Sequence, residues 1–273
     1  MLKKKDLKES ILIRSHGVLV RMKTNDRDAF REIIPILHSN LPGCEIDLSS
    51  DDIAEHEFIY IWNPSKLDAL YKDGVKVSTR RRRNEALHLT GSQVRICIAE
   101  FAPDHVFIHA GVVAINGKAI VIPAKSMSGK STLTAELVRL GAIYYSDEYA
   151  VIDRNGFVCP FPKDLSMRED GEFVQTDIPI EEFGGRQGTE PIPVEMILIT
   201  AYKPNARWKP RELSPGQGFM ELVSHTVPIR QNPTIAMERL SKIVRTSRII
   251  KTKRADAAKT ASTLFKMFNR EYV

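Results

Sequence analysis

The stretch Ala124-Lys125-Ser126-Met127-Ser128-Gly129-Lys130-Ser131 has the spacing of a phosphate-binding loop. The pattern is G-x-x-x-x-G-K-[ST], and the chain departs from it at the first position, where alanine stands for glycine. Backbone N–H groups from Ala124 to Thr132 are expected to converge on phosphate oxygens. Gly129 gives the backbone a conformation that a side chain obstructs. Alanine serves at 124 unless that position needs a positive φ. Lys130 is placed to reach the outer phosphates of a nucleotide, and Ser131 to set a hydroxyl on Mg²⁺. Past one helix and one short strand comes Asp147, which can bind the metal or take a proton from an attacking hydroxyl. Glu148 is a further metal-ligand candidate, expected to face the other way on a strand. His109, set among Phe107, Ile108, Val112 and Val113, reads from its surroundings alone as a satisfied core histidine.

Such residues need elements that bring them together. The apolar run His105–Ile115, the dipeptide Asn116-Gly117 and a second run, Lys118–Ile122, predict a β-hairpin, because both turn residues tolerate positive φ. The strand feeding the loop is then the second arm of an antiparallel hairpin, unlike the parallel surroundings of most phosphate loops. Lys130–Leu140 predicts a helix with Leu133, Leu137 and Leu140 inward and Gly141 at its end. Ala142–Tyr145 and Tyr149–Ile152 predict strands flanking Asp147-Glu148, with the first returning beside the loop strand. A turn at Asp153–Gly156 and a short strand at Phe157–Cys159 follow. Glu195–Tyr202 is a buried strand, and Thr234–Val244 and Ala255–Phe268 are helices. Upstream, Ile11–Arg21 predicts a strand, Asp26–His38 an amphipathic helix that Pro35 kinks or ends early, and Glu57–Trp62 a strand, with turns at Leu41–Gly43 and Lys72–Gly74. Glu85–Ala99 fits either a helix or two strands. The expected fold class is α/β, a mixed, largely antiparallel sheet carrying the loop over residues 96–273, plus a small α/β unit over 1–95.

The 273 residues suffice for one large domain or two small ones. A hydrophobic fraction of 42% and a charged fraction of 27% belong to a soluble globular protein. No apolar run reaches the length of a membrane span, and the basic start at Lys3-Lys4-Lys5 lacks the apolar segment of a signal peptide. Cys44, Cys97 and Cys159 form no close pair, which fits reduced thiols and a cytoplasmic location. The net charge of +6 is scattered. Its one dense cluster, Arg80–Arg83, is either a solvated turn or a grip for an acidic partner. No nucleic-acid-binding motif accompanies it, so neither nucleic acid nor membrane is expected as a partner.

Taken in order, His109-Ala110-Gly111-Val112, Asn116-Gly117, Ser128-Gly129-Lys130-Ser131 and Ser146-Asp147-Glu148 resemble the catalytic domain of the HPr kinase/phosphorylase family. Val227-Pro228-Ile229-Arg230 resembles that family's Val-Pro-Val-Arg segment. The match spans roughly residues 100 to 250. It implies a fold like phosphoenolpyruvate carboxykinase, Lys130 and Ser131 on ATP–Mg²⁺, Asp147 as base, His109 near the transferred phosphate and Arg230 as a phosphate contact. An oligomer is also implied. The chain departs from the family at Ala124 and at Glu148, where a second aspartate is usual. The family's Glu-Ile-Arg-Gly segment is not found after residue 165; Met167–Gly171 and Phe183–Arg186 are poor substitutes. The departures place the chain nearer divergent relatives that resemble kinases of a serine on a precursor peptide, or of free serine. The expected activity is transfer of the γ-phosphoryl group of ATP to a serine of a peptide or protein. Arg168 and Arg230 are candidates for the transition-state charge. A small-molecule kinase and a non-catalytic nucleotide sensor are the rivals, and a basic nucleic-acid binder is a distant third.

Overall fold

A computed structural model divides the chain after Asp104 into two units, each with its own sheet. The structure describes residue 7 and residues 9–124, 128–167 and 176–270, with 269 and 270 by backbone alone. Lys125, Ser126, Met127 and Arg168 lie outside the described residues.

In the first unit, β1 (Glu9–Ser15) and β2 (Val18–Thr24) form a hairpin turning on His16 and Gly17, both at positive φ. The single strand expected over Ile11–Arg21 is therefore two. Helix α1 (Arg27–Asn40) starts at Asp26, whose side chain accepts the Asp28 N–H. It runs through Pro35 instead of ending there, because Ile33 and Leu37 on either side of the proline are both fully buried. β3 (Glu45–Asp47), β4 (His56–Ile61), β5 (Asp68–Lys72) and β6 (Val75–Arg80) complete a six-stranded sheet in the order β3-β1-β2-β4-β5-β6. Asp73 and Gly74, both at positive φ, close the β5–β6 hairpin. The undecided stretch after Arg83 is one helix, α2 (Arg83–Phe101). A boundary at 95/96 would cut this helix, so the division moves to 104/105. The arginine cluster is dispersed by the fold. Arg83 pairs with Asp26 and Glu32 and lies over the Trp62 ring, and Arg82 pairs with Glu85 one turn on.

The second unit is built on one eight-stranded sheet. Its strands are β7 (Val106–Ile115), β8 (Lys118–Pro123), β9 (Ile143–Ser146), β10 (Tyr149–Ile152), β11 (Phe157–Cys159), β14 (Ile192–Tyr202), β15 (Arg211–Glu212) and β16 (Arg248–Arg254). A separate ribbon pairs β12 (Leu165–Met167) with β13 (Thr176–Ile178). The main sheet runs β11-β10-β7-β8-β14-β16-β15, with β9 also on β7. β7 and β8 are the expected hairpin, turning on Asn116 and Gly117 at positive φ. The other edge of β8, however, pairs parallel with β14, which in turn pairs parallel with β16. The sheet is thus mixed and mainly antiparallel, but the loop strand has one antiparallel and one parallel neighbour.

Side-chain alternation assigns the helices to faces. On one face Val112, Val121, Ile197 and Ile199 pack under α4 (Pro215–Val223) and α5 (Pro233–Thr246). On the other, Val113, Ile120, Ile122 and Leu198 pack under α3 (Lys130–Arg139) and α6 (Ala257–Arg270). α3 stops one residue short of Leu140, which is exposed rather than inward, and Gly141 at positive φ ends it. α6 begins after Asp256, whose carboxylate accepts the Lys259 N–H. Among the described residues no helix is long and apolar enough to cross a membrane.

Candidate active site

β8 delivers the chain to Ala124, and the chain returns at Ser128-Gly129 to start α3. Gly129 is the N-cap residue of that helix, at φ 78°. An L side chain there would be strained, and a Cβ would also sit 2.7 Å from Arg254 Nη2. Among the described residues no side chain caps the helix, and no acidic residue lies in its first turn. Its first amides, with the positive end of the helix dipole, are left for an anion.

Lys130, Ser131 and Thr134 leave α3 on one face and all turn to Asp147. Lys130 Nζ lies 2.8 Å from Asp147 Oδ1 and also donates to the Asp147 carbonyl. Ser131 Oγ donates to Oδ2 and Thr134 Oγ1 donates to Oδ1. The pair is almost dry, with Lys130 9% and Asp147 6% exposed. Sequence reading gave Lys130 and Asp147 separate tasks. The structure joins them in one buried ion pair.

Two residues outside the loop make this closeness workable. A Cβ on Gly111, in the facing strand β7, would lie 2.8 Å from Thr134 Oγ1, 3.2 Å from Lys130 Cγ and 3.4 Å from Asp147 Oδ1. Only glycine leaves room for the helix and the carboxylate. Ser146 shapes the turn, since its Oγ accepts the N–H groups of Glu148 and Tyr149 at 3.1 and 3.0 Å. Asp147 does not return beside the loop strand as expected. β9 pairs with β7, the first arm of the hairpin, and the carboxylate reaches the loop helix across Gly111.

His109 faces the same turn from β7. A carbonyl can only accept, so the 3.0 Å contact to the Glu148 carbonyl places the proton on Nδ1 and leaves Nε2 of the neutral ring as an acceptor. Burial, and then the Lys130 charge, hold its pKa below the usual histidine value, while Glu148 and Asp147 oppose the shift. The Glu148 carboxylate lies 3.9 Å from His109 Nδ1. That is a correction to its reading as a strand residue, since it sits in the turn between β9 and β10. Arg230 is exposed just after the single helical turn Val227–Ile229 and has no side-chain partner among the described residues. Its segment is tied to β7 by the His109 N–H to His225 carbonyl bond and by the Ile108–Thr226 bridge.

Against this geometry stand the comparisons with known proteins. Among the solved structures that resemble the chain at a distance is the HPr(Ser) kinase/phosphatase from Coxiella burnetii, with 16% identity and a TM-score of 0.35 over 61% of this chain and 97% of that one. A likeness so weak bears on no residue and no activity. No protein-family model matches, and no curated protein matches.

Arg254, at the end of β16, was not singled out from the sequence. It is 2% exposed, and its Nη2 donates to the carbonyls of Ser128 and Gly129 from behind the loop. Its Nε is buried without a hydrogen-bond partner, and it has no carboxylate partner among the described residues. Burial alone pulls its pKa below the usual arginine value. A desolvated cation with no anion is costly, and here it lies against the Ser128-Gly129 backbone that starts α3. Ser128 Oγ is likewise buried and unpartnered. The signal in the sequence was the alternation Ile250, Thr252, Arg254, which puts the arginine on the apolar face of its strand. Among the described residues no three His, Cys, Asp or Glu side chains converge on a metal site. The donors present are one hydroxyl and one carboxylate, Ser131 and Asp147, the hard oxygen ligands that suit Mg²⁺ when phosphates supply the rest.

Proposed function

We propose that the chain is an ATP-dependent phosphotransferase that carries the γ-phosphoryl group to a serine hydroxyl of a peptide or protein. The observation that carries the reading is the convergence of Lys130, Ser131 and Asp147 at the start of α3, behind a glycine at positive φ. Mg²⁺, when bound, neutralises phosphate charge. Ser131 Oγ and the Asp147 carboxylate are the residues that would hold it.

The residues divide the work as follows. The free amides at the start of α3 hold the phosphates, and Arg254 fixes the loop by binding its outward-facing carbonyls. Lys130 exchanges its partner Asp147 for a phosphate oxygen. That exchange releases Oδ1 of Asp147, which is otherwise engaged by Lys130 and Thr134. The freed carboxylate then orients the acceptor hydroxyl and takes its proton as that oxygen attacks the γ-phosphorus, while the bond to the β,γ-bridging oxygen breaks and ADP leaves. Nucleotide binding thus frees the base. His109, anchored to the same turn through Nδ1, keeps Nε2 as an acceptor, and Arg230, without an ion-pair partner among the described residues, is a cation for the transferred group.

A second reading, a nucleotide sensor without transfer, is favoured by one fact: Asp147 is already engaged by three donors of α3, as a purely structural latch would be. Mass spectrometry of serine peptides incubated with the protein, ATP and Mg²⁺ separates the two. A phosphotransferase adds one phosphate to serine, and Asp147→Asn abolishes this. A sensor binds nucleotide equally well with either residue and yields no phosphopeptide.

A further inference from the structure

A second feature on the same sheet edge is not used by the site above. A cavity of 690 Å³ is lined by Lys203, Arg207 and Lys209 from the segment leading to β15, by Arg211 of β15, and by Lys251 and Lys253 on β16. One carboxylate lines it, Glu221 of α4, and that is paired with Lys251. The other five cations have no ion-pair partner among the described residues. Thr200 Oγ1, also in the lining, is buried with no hydrogen-bond partner. The tight turn Lys203–Ala206, with Asn205 at positive φ and the Ala206 N–H on the Lys203 carbonyl, bends this segment at the end of β14.

β8, β14 and β16 run parallel, so their carboxyl ends share one edge, where ligands of such sheets bind. The cavity therefore adjoins the phosphate loop. Tyr202 and Lys203 stand between the two. The Tyr202 N–H donates to the Ser128 carbonyl, and the Lys203 N–H donates to the carbonyl of Arg254.

We infer that this cavity binds an acidic peptide segment flanking the phosphorylated serine, an inference that rests on the phosphotransferase reading. Three observations select that occupant. The positive charge is spread over two elements instead of focused on one point, as a run of carboxylates requires. Ile199, Ala201, Pro204 and Ala206 give the cavity carbon surface for the stems of glutamates. Among the described residues no aromatic side chain lines it, so nothing is offered for stacking bases. Five like charges left unpaired in one concavity repel one another, and an anionic segment removes that repulsion.

The test uses the full chain and two labelled peptides of equal length, each with one serine, flanked by glutamates in one and glutamines in the other. Fluorescence anisotropy without nucleotide reads the cavity, and a fluorescent ATP analogue with Mg²⁺ reads the phosphate loop. The glutamate peptide binds, the glutamine peptide does not, and added salt weakens the complex. In the exposed-loop variant Lys203→Glu/Arg207→Glu/Lys209→Glu, affinity for the glutamate peptide falls roughly tenfold or more. Affinity for the ATP analogue stays within about twofold, since the loop is untouched. Equal binding of the two peptides, or unchanged binding by the variant, overturns the inference. So does single-stranded RNA that binds more tightly and displaces the glutamate peptide. If the wild type fails to bind the ATP analogue, the phosphotransferase reading falls by itself, since the peptide measurement does not depend on nucleotide.

Discussion

Cutting Lys130 should expose how the site stores its base. With Nζ 2.8 Å from Oδ1, the attraction is about 6 kcal/mol at an effective dielectric of about 20. Desolvation of both charges offsets most of this, so the intact pair adds little net stability. Removing one partner is different, because a buried charge is left alone at a cost of about 3–5 kcal/mol. Lys130→Met is therefore expected to destabilise the protein by about 3 kcal/mol or more, as well as to abolish turnover. Adding Asp147→Asn removes the stranded charge and keeps one carbonyl oxygen as an acceptor for Ser131 or Thr134, so the double variant is more stable than Lys130→Met alone. Urea denaturation of the four proteins of the cycle, read as midpoint shifts at constant slope, measures this. Additive single effects, or a Lys130→Met variant within about 0.5 kcal/mol of wild type, would refute the reasoning.

Other outcomes follow from the same geometry. Gly111→Ala forces a methyl against Thr134 Oγ1 and Lys130, and should cost about 1–3 kcal/mol by overpacking, seen as a lowered urea midpoint. The pKa of His109 is held down in the folded state, while the unfolded chain protonates it near its ordinary 6.5. The unfolded state then binds more protons just below that pH, so stability is full above 6.5 and declines as pH falls through the interval down to the depressed folded value. His109→Gln should flatten that part of the stability–pH curve, and an unchanged slope would exclude the histidine as its source. Arg254→Met removes a buried cation whose neighbours are loop carbonyls. Affinity for ATP should fall roughly tenfold, about 1.4 kcal/mol, by titration calorimetry, and unaltered affinity would remove Arg254 from the site.

Local chemistry was legible where the signal was local. The Asn116-Gly117 hairpin and the helix after Lys130 are written in short stretches whose residue types demand those conformations. The His16-Gly17 turn was missed because Val18–Val20 continues the apolar run beyond it, so the hydrophobic pattern does not break where the backbone does. α2 was undecidable because Leu89 and Ile96 lie off the side that Leu87, Val94, Cys97 and Ile98 bury, and Thr90 and Gly91 interrupt that side, so its apolar residues do not repeat cleanly at helical spacing. Pairings distant in sequence left no local trace. The parallel contact of β14 with β8, the arrival of Arg254 under Gly129, and the cavity between the β14–β15 segment and β16 come only from the assembled sheet. The sequence could supply a lysine and a carboxylate for the site. It could not say that they bind each other.

The most direct measurement follows an isotopic label from the γ-position of ATP in the presence of Mg²⁺ and a serine peptide. The account predicts that the label appears on serine with the wild type, and that neither Lys130→Met nor Asp147→Asn transfers it. Label that stays on the nucleotide, or that leaves only as inorganic phosphate when acceptor peptide is in excess, would contradict it.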